Sequence, residues 1–261
     1  MKGRKAAGVL GAMALFAGTA SARPAPAAPA EWSWEGRYAG EIRVASVARV
    51  PVVGSERSIT RSLLLVDVER SGDRLVHRQR VCDVGIRSSR VRMTVPDAFV
   101  GSLRPKTYTA SLAGPADARR FTADLGEEAL GYDPAVTGGA LPKDRSAPGV
   151  VDSDGDGEPG ATVIGHFPLF GRVRLYVAQR SHLVLHGRQT GPDRIEGGLD
   201  IVTLESRTLG ASNGIFGRSL EVRPDDAASG FTLVRTAARD CDDLRRQAAA
   251  LFPAGGWGSR S

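Results

Sequence analysis

The chain has 261 residues, 35 basic against 29 acidic side chains, a formal charge of +6 and two cysteines. Thirty-one of the cations are Arg and only Lys2, Lys5, Lys106 and Lys143 are Lys. They are interspersed with acids along the chain, whereas a nucleic-acid footprint needs them clustered on one stripe, so nucleic acid is not an expected partner.

The first 22 residues run from three cations (Lys2, Arg4, Lys5) through an apolar stretch, Ala6 to Ala20, to Ala20-Ser21-Ala22. That order is a secretory signal, with cleavage predicted after Ala22. The apolar stretch is about fifteen residues where a span needs roughly twenty, so no transmembrane span is expected after cleavage. Cleavage would leave 32 basic and 29 acidic residues, a formal charge of +3. Residues 23–31, RPAPAAPAE, read as a Pro/Ala linker without means of burying anything. One β-rich domain over residues 32–253 and a disordered tail over 254–261 complete the expected organisation.

Within that domain the segments RYAGEIRVASVARV, SITRSLLLVDVE, RLVHRQRVC, IRSSRVRMTV, RVRLYVAQ, RIEGGLDIVTLESRTL and GFTLVRTA are short and rich in Val, Ile, Leu and Thr. Turn formers separate them: SGD at 71–73, GPD at 191–193 and Asn213-Gly214, the last suited to a two-residue hairpin. Val173, Leu175 and Val177 alternate with Arg172, Arg174 and Tyr176, the period of a sheet with one buried and one wet face. About eight to ten such strands predict an all-β fold, an antiparallel barrel or sandwich, with a short C-terminal helix.

Two segments carry helical signal. PDAFVGSL after Val95 suits a single turn. DCDDLRRQAAALF is stronger: Asp240 caps, Asp242 and Asp243 favour the positive helix start, Cys241, Leu244, Ala248 and Leu251 share a face, and Pro253 stops it. An even cysteine count in an exported chain predicts a Cys82–Cys241 disulfide, pinning this helix to the strand that ends at Cys82. Closing 159 residues would contribute up to about 5 kcal/mol in the chain-entropy account.

Residues 131–161 form a long stretch of turn-forming chain ending in VVDSDGDGEPGA, and loops of that length are usually functional or disordered. Asp152, Asp154 and Asp156 alternate with small residues before Gly157, so their carboxylates converge if the loop winds tightly. Hard cations take six to eight oxygens in such settings. The run resembles the EF-hand loop and the shorter DxDxDG loops of secreted calcium-binding modules, over residues 152–157 only. That resemblance implies a structural Ca²⁺ at Asp152, Asp154 and Asp156, with Glu158 adding its backbone carbonyl and a remote acid such as Asp133 or Asp144 completing the set. Val163 stands where an EF-hand has its bidentate Glu and Pro159 precedes it, so a helix-loop-helix sensor is not expected. An unmetallated polar turn and a catalytic carboxylate cluster are the competing readings.

The four histidines, His77, His166, His182 and His186, form no zinc motif. In a strand, His182 and His186 would stand roughly 13 Å apart. All four are expected at the surface or satisfied by neighbours. The glycine pair of IEGGLD suggests a bulge or close packing. WSWEGRYAGEI, with Trp32 and Trp34 before Gly36-x-Tyr38, resembles the first strand of lipocalin-type barrels, where a G-x-W closes the base; Tyr38 stands here in place of that tryptophan, and the chain is longer than a typical lipocalin. The resemblance implies an arginine from a distal strand over that aromatic, for which Arg235 in FTLVRTA is the candidate. The plainer reading is an entry strand that uses aromatics for packing.

These signals converge on a secreted or periplasmic, non-enzymatic β-domain that binds a small apolar ligand or a surface partner. A secreted hydrolase with a dispersed catalytic set and a structural envelope protein are the alternatives.

Overall fold

A computed structural model describes residues 33–50, 53–115, 119–218 and 221–253. The predicted signal segment, the whole linker, Trp32 and the tail lie outside the described residues.

Eleven antiparallel strands form one sheet: β1 (Gly36–Val50), β2 (Gly54–Ser71), β3 (Arg74–Ser88), β4 (Arg92–Thr94), β5 (Lys106–Ala113), β6 (Arg120–Leu130), β7 (Ala161–Phe167), β8 (Gly171–Gly191), β9 (Arg194–Ala211), β10 (Val222–Pro224) and β11 (Gly230–Arg235). The pairing runs β8-β6-β5-β3-β2-β1-β11-β9, and β9 returns to β8. Eight strands therefore close a ring, which decides between the expected barrel and sandwich in favour of the barrel. Closure gives the ring strands partners on both sides near the base, while Arg80–Ser88 of β3 pair with β2 alone and β4 with β7 alone.

One side of the ring is built from two stacked panels. Gln179–Arg188 of β8 pair with β6, and β5 links β6 to Arg74–Gln79 of β3. Above them, Gly171–Val177 of β8 pair with β7, and β7 pairs with β4. The short helix α1 (Asp97–Ser102) sits at the seam, where Phe99 and Val100 pack against Val84, Ala161 and Val163.

Alternation gives the wall its two faces. On β1 the even positions Tyr38, Ile42 and Val44 point inward while Arg37, Glu41 and Arg43 point outward. Apolar-in and charged-out is the inverse of the lipid-facing pattern of membrane barrels. Among the described residues no helix is long and apolar enough to cross a membrane.

At the end where the chain enters, the barrel is filled. Trp34, Tyr38, Phe121, Phe231, Leu75, Leu185 and Ile195 are almost fully buried. Phe121 lies edge-on to Trp34 (6.0 Å) and to Phe231 (5.4 Å), the arrangement ring quadrupoles favour. Arg235 locks this base. It lies 5.0 Å over the Tyr38 ring and donates to the Tyr38 hydroxyl (3.0 Å) and to the carbonyls of Ser33 (2.8 Å) and Glu35 (2.6 Å). The arginine-over-aromatic contact expected from the first strand is thus present, with Tyr38 as the aromatic.

The C-terminal helix (Cys241–Leu251) forms as expected, with the Asp240 side chain accepting from the Asp243 amide. Leu244 and Ala248 pack with Ala39 and Leu63 on the outer wall, and Cys82 and Cys241 are paired at disulfide distance. A register shift at Leu63/Leu64 leaves Cys82 as an extra residue on β3. That bulge lets Cys82 meet the helix while Val84 joins the cluster beneath α1.

Three details differ from expectation. Asn213-Gly214 makes no hairpin: Asn213 caps a 3₁₀ turn (Gly214–Phe216) by accepting the Ile215 amide, because β9 has already ended at Ala211. Three strands lie outside the segments expected from β-branched content: β5 and β6, whose KTYTASLA and RFTADLGEEAL are polar and pair through the ring, and β7, whose short apolar ATVIGHF directly follows the long loop. Finally, Tyr176 on the outer face of β8 is buried, covered by the long loop.

Candidate functional site: the barrel lumen and the acidic loop

Above the filled base the same inward rows stop meeting across the ring. They enclose a cavity of about 330 Å³. Ile42, Val44, Ala48 and Val50 of β1 line it, with Leu64 of β2, Val81 and Ile86 of β3, Leu175, Val177 and Leu183 of β8 and Leu204 of β9. The residues that vacate the space are small. Ser46, Ser58, Thr60, Ser62, Ser88, Ser181, Ser206 and Thr208 stand inward where the base has aromatic rings. The lumen is thus an apolar tube with a belt of hydroxyls. Its volume is at the lower end of the about 300–1,000 Å³ typical of small-molecule pockets.

The floor is polar at one point. Tyr108 donates to the Gln79 side-chain oxygen (3.1 Å), and Gln79 faces the cavity. Directly beneath, His77 is 1% exposed and neither ring nitrogen has a partner. It lies against Tyr108 (ring centroids 5.1 Å) and Phe121 (6.1 Å), and burial lowers its pKa to about 4. The expectation of a surface or satisfied histidine fails here because inward alternation on β3 carries His77 into the aromatic base.

Near the opposite end, Glu56 is buried and accepts from the Ser88 and Ser89 hydroxyls and the Arg90 and Val91 amides. Burial pushes its pKa up, but those donors outweigh it and hold the carboxyl below its usual range. Glu56 therefore staples the turn after β3. The pair Lys106–Glu128 (2.9 Å) stands in the wall between the lumen and an outer hollow of about 700 Å³, which also contacts Asp133, Asp152 and Ser153.

The acidic loop sits beside that hollow. Residues 131–160 fold back on the barrel through the bridges Tyr132↔Val150 and Asp152↔Gly160, and Tyr132 packs on Ala178 and Leu209. Both ends of the loop cross the β8 backbone so closely that a Cβ on Gly131 or Gly160 would lie 2.4 or 2.5 Å from the Val177 carbonyl. Both glycines also have positive φ, 79° and 87°, so no other residue serves there without strain.

Asp152, Asp154 and Asp156 are brought together, with candidate ligand oxygens all within 4.8 Å of one another. The Asp152 oxygens accept from the Gly155 and Gly157 amides (2.7 and 2.9 Å). Those of Asp156 accept from the Glu158 amide and the Thr162 hydroxyl (2.9 and 2.7 Å). Asp154 Oδ2 accepts from the Thr162 amide (2.8 Å), whereas Asp154 Oδ1 is buried without a partner. Burial raises the Asp154 pKa, the neighbouring Asp156 and Asp152 charges raise it further, and the Thr162 amide only partly offsets them. A cation would relieve that strain, so the donor set suits a hard ion. The Glu158 carboxylate is turned away to Arg145 (3.4 Å) and Arg174 (3.6 Å). Asp133 caps the short helix at Pro134–Thr137 and Asp144 accepts from Ser146, so neither carboxylate belongs to the cluster.

The other histidines line no cavity described above. His182 contacts Asp124 (2.7 Å) and His186 contacts Asp200 (2.8 Å) on the exposed outer wall, while Arg92 donates to His166 Nδ1 (3.2 Å). Thr122, His186 and Asp200 stand in a row, 3.4 and 2.8 Å apart, but as cross-strand neighbours on an open sheet face.

No protein-family model, curated protein or solved structure matches this chain.

Proposed function

We propose that the protein is a secreted or periplasmic, non-enzymatic barrel that carries a small, largely apolar ligand in its lumen. The observation that carries this reading is the division of one barrel into a filled base and an empty, about 330 Å³ upper half. The inward serines and threonines of the upper half hold volume open. Large side chains there would bury more apolar area, at about 25 cal/mol per Å², so stability alone does not favour the hollow. The hydroxyl belt adds that the ligand is an amphiphile, a hydrocarbon body bearing a few oxygens. Arg235 over Tyr38 and the up-and-down ring support the lipocalin-like reading of the architecture. The cysteine pair supports an oxidising compartment.

The acidic loop completes the proposal. Asp152, Asp154 and Asp156 hold a structural Ca²⁺, with the Glu158 backbone carbonyl as a further donor, and the ion orders the loop against β8. The orphaned Asp154 Oδ1 supports this over an unmetallated turn. Catalysis by the loop or by His186 finds no support in shape, because reacting groups need a cleft that excludes water. Native mass spectrometry of the protein from its own host, with and without chelator, tests both halves. The expected result is one bound small molecule retained after calcium is stripped. Protein that carries neither calcium nor any small molecule, and takes up neither, would overturn the proposal.

A further inference from the structure

We infer that the rim of the barrel opposite the filled base is a docking surface for an anionic lipid membrane. Strand directions place the turns after β1, β3, β7 and β9 at this end. Exposed arginines crowd it: Arg49, Arg57, Arg87, Arg172 and Arg218 have no carboxylate partner among the described residues. The acids there are already engaged, Glu56 by its four internal donors and Glu221 by Arg223 (2.7 Å). Cations without counter-charges on one face are what an anionic surface attracts.

Two apolar side chains project from the same rim. Leu169, at the β7–β8 tip, is 99% exposed and has a φ of 68°, and Ile215 is 49% exposed. Their tips are held together, since Phe216 stacks on Phe167 (4.1 Å) and meets Phe170 edge-on (5.3 Å). Rigid aromatic footings carrying exposed aliphatic tips amid arginines match the chemistry of interfacial insertion: hydrocarbon enters the acyl boundary while guanidinium groups stay at the phosphates. A protein partner would match the Leu169 tip but gives no reason for so many uncompensated charges. The inference goes beyond the lumen reading and does not depend on the lumen being occupied.

Co-sedimentation with phosphatidylglycerol/phosphatidylcholine vesicles tests it, with pure phosphatidylcholine as the neutral surface. Binding is expected on the anionic vesicles only, and raised salt weakens it. Leu169→Asp is expected to lower the partition coefficient about tenfold or more, by loss of a buried leucine. Arg172→Glu and Arg218→Glu each lower it by about fivefold or more, following the surface-charge contribution of a single cation. Arg70→Glu, the same charge change at the opposite end, leaves it unchanged. Soluble glycerol phosphate at millimolar concentration does not compete. Absence of binding, equal binding to neutral vesicles, indifference to Leu169→Asp, an equal loss in Arg70→Glu, or competition by glycerol phosphate would each overturn the inference. Thermal melts of each variant and retention of an apolar fluorophore in the lumen separate this failure from misfolding or from failure of the ligand reading.

Discussion

Strands β1, β2, β3, β8 and β9 run through both halves of the barrel, with β5, β6 and β11 completing the base and β4, β7 and β10 the upper half, yet the two halves solve opposite problems. At the base the inward positions are Trp34, Tyr38, Phe121 and Phe231, which meet across the ring and fill it. In the upper half the inward positions of β2 and β9 are Thr60, Ser62, Ser206 and Thr208, too short to meet. The base carries the ion pairs Arg37–Asp67, Arg78–Glu69, Arg194–Glu196 and Arg235–Asp193 beside Arg70, Arg74, Arg120 and Arg188, which like the rim arginines have no carboxylate partner among the described residues. Inward side-chain volume therefore separates the half that keeps the fold from the half free to bind.

The comparison breaks most visibly under truncation. Phe121→Ala is expected to cost about 3–5 kcal/mol, whereas Leu183→Ala, which faces existing empty space, costs only about 1–2 kcal/mol. Urea unfolding measures both, and equal losses would mean that the upper half is as tightly packed as the base.

Acid should strike the base next. In the folded state His77 has a pKa of about 4, below its ordinary 6.5, so between those values the unfolded chain binds a proton that the folded one refuses. Stability contributed by neutral His77 is complete above about pH 6.5 and is lost as pH falls toward 4, by up to about 3 kcal/mol. His77→Phe should flatten that part of the stability profile relative to wild type and raise stability at pH 5. An unchanged slope would show that His77 finds a proton partner when the protein is acidified.

Calcium gives the smallest effect. For a dissociation constant on the order of 0.5 mM, 2 mM Ca²⁺ stabilises by about 1 kcal/mol, a shift of about 2–4 °C for a domain of this size. Asp154→Asn should abolish that shift. It should also raise the melting temperature in chelator, because the amide removes a carboxylate that the metal-free loop holds against two like charges. A lower melting temperature in chelator would count against the crowding of Asp154.

Local pattern made the architecture legible in part. Period-two alternation in Val173, Leu175 and Val177 marked the wall, and the Asp240 cap marked the helix, because both signals are short-range. Strands β5 and β6 were not legible because polar segments become strands only when neighbours supply the pairing, and the apolar β7 was masked by the turn-forming loop that runs into it. The acidic loop was legible as a cluster, since alternate residues in a tight turn converge whatever surrounds them. The lumen was not: an inward Ser62 or Ser206 looks like any strand serine until ring closure places it opposite another wall. His77 was hidden in the same way.

Filling the lumen tests the central claim most directly. Fluorescence titration with an apolar naphthylamine probe is expected to show saturable binding at a single site in the wild type. In Ser62→Trp, which places an indole across the cavity, binding should fall at least tenfold, the loss expected when a buried apolar contact surface is removed, while the melting temperature is retained. Undiminished binding in Ser62→Trp, or no binding by the wild type, would contradict the account.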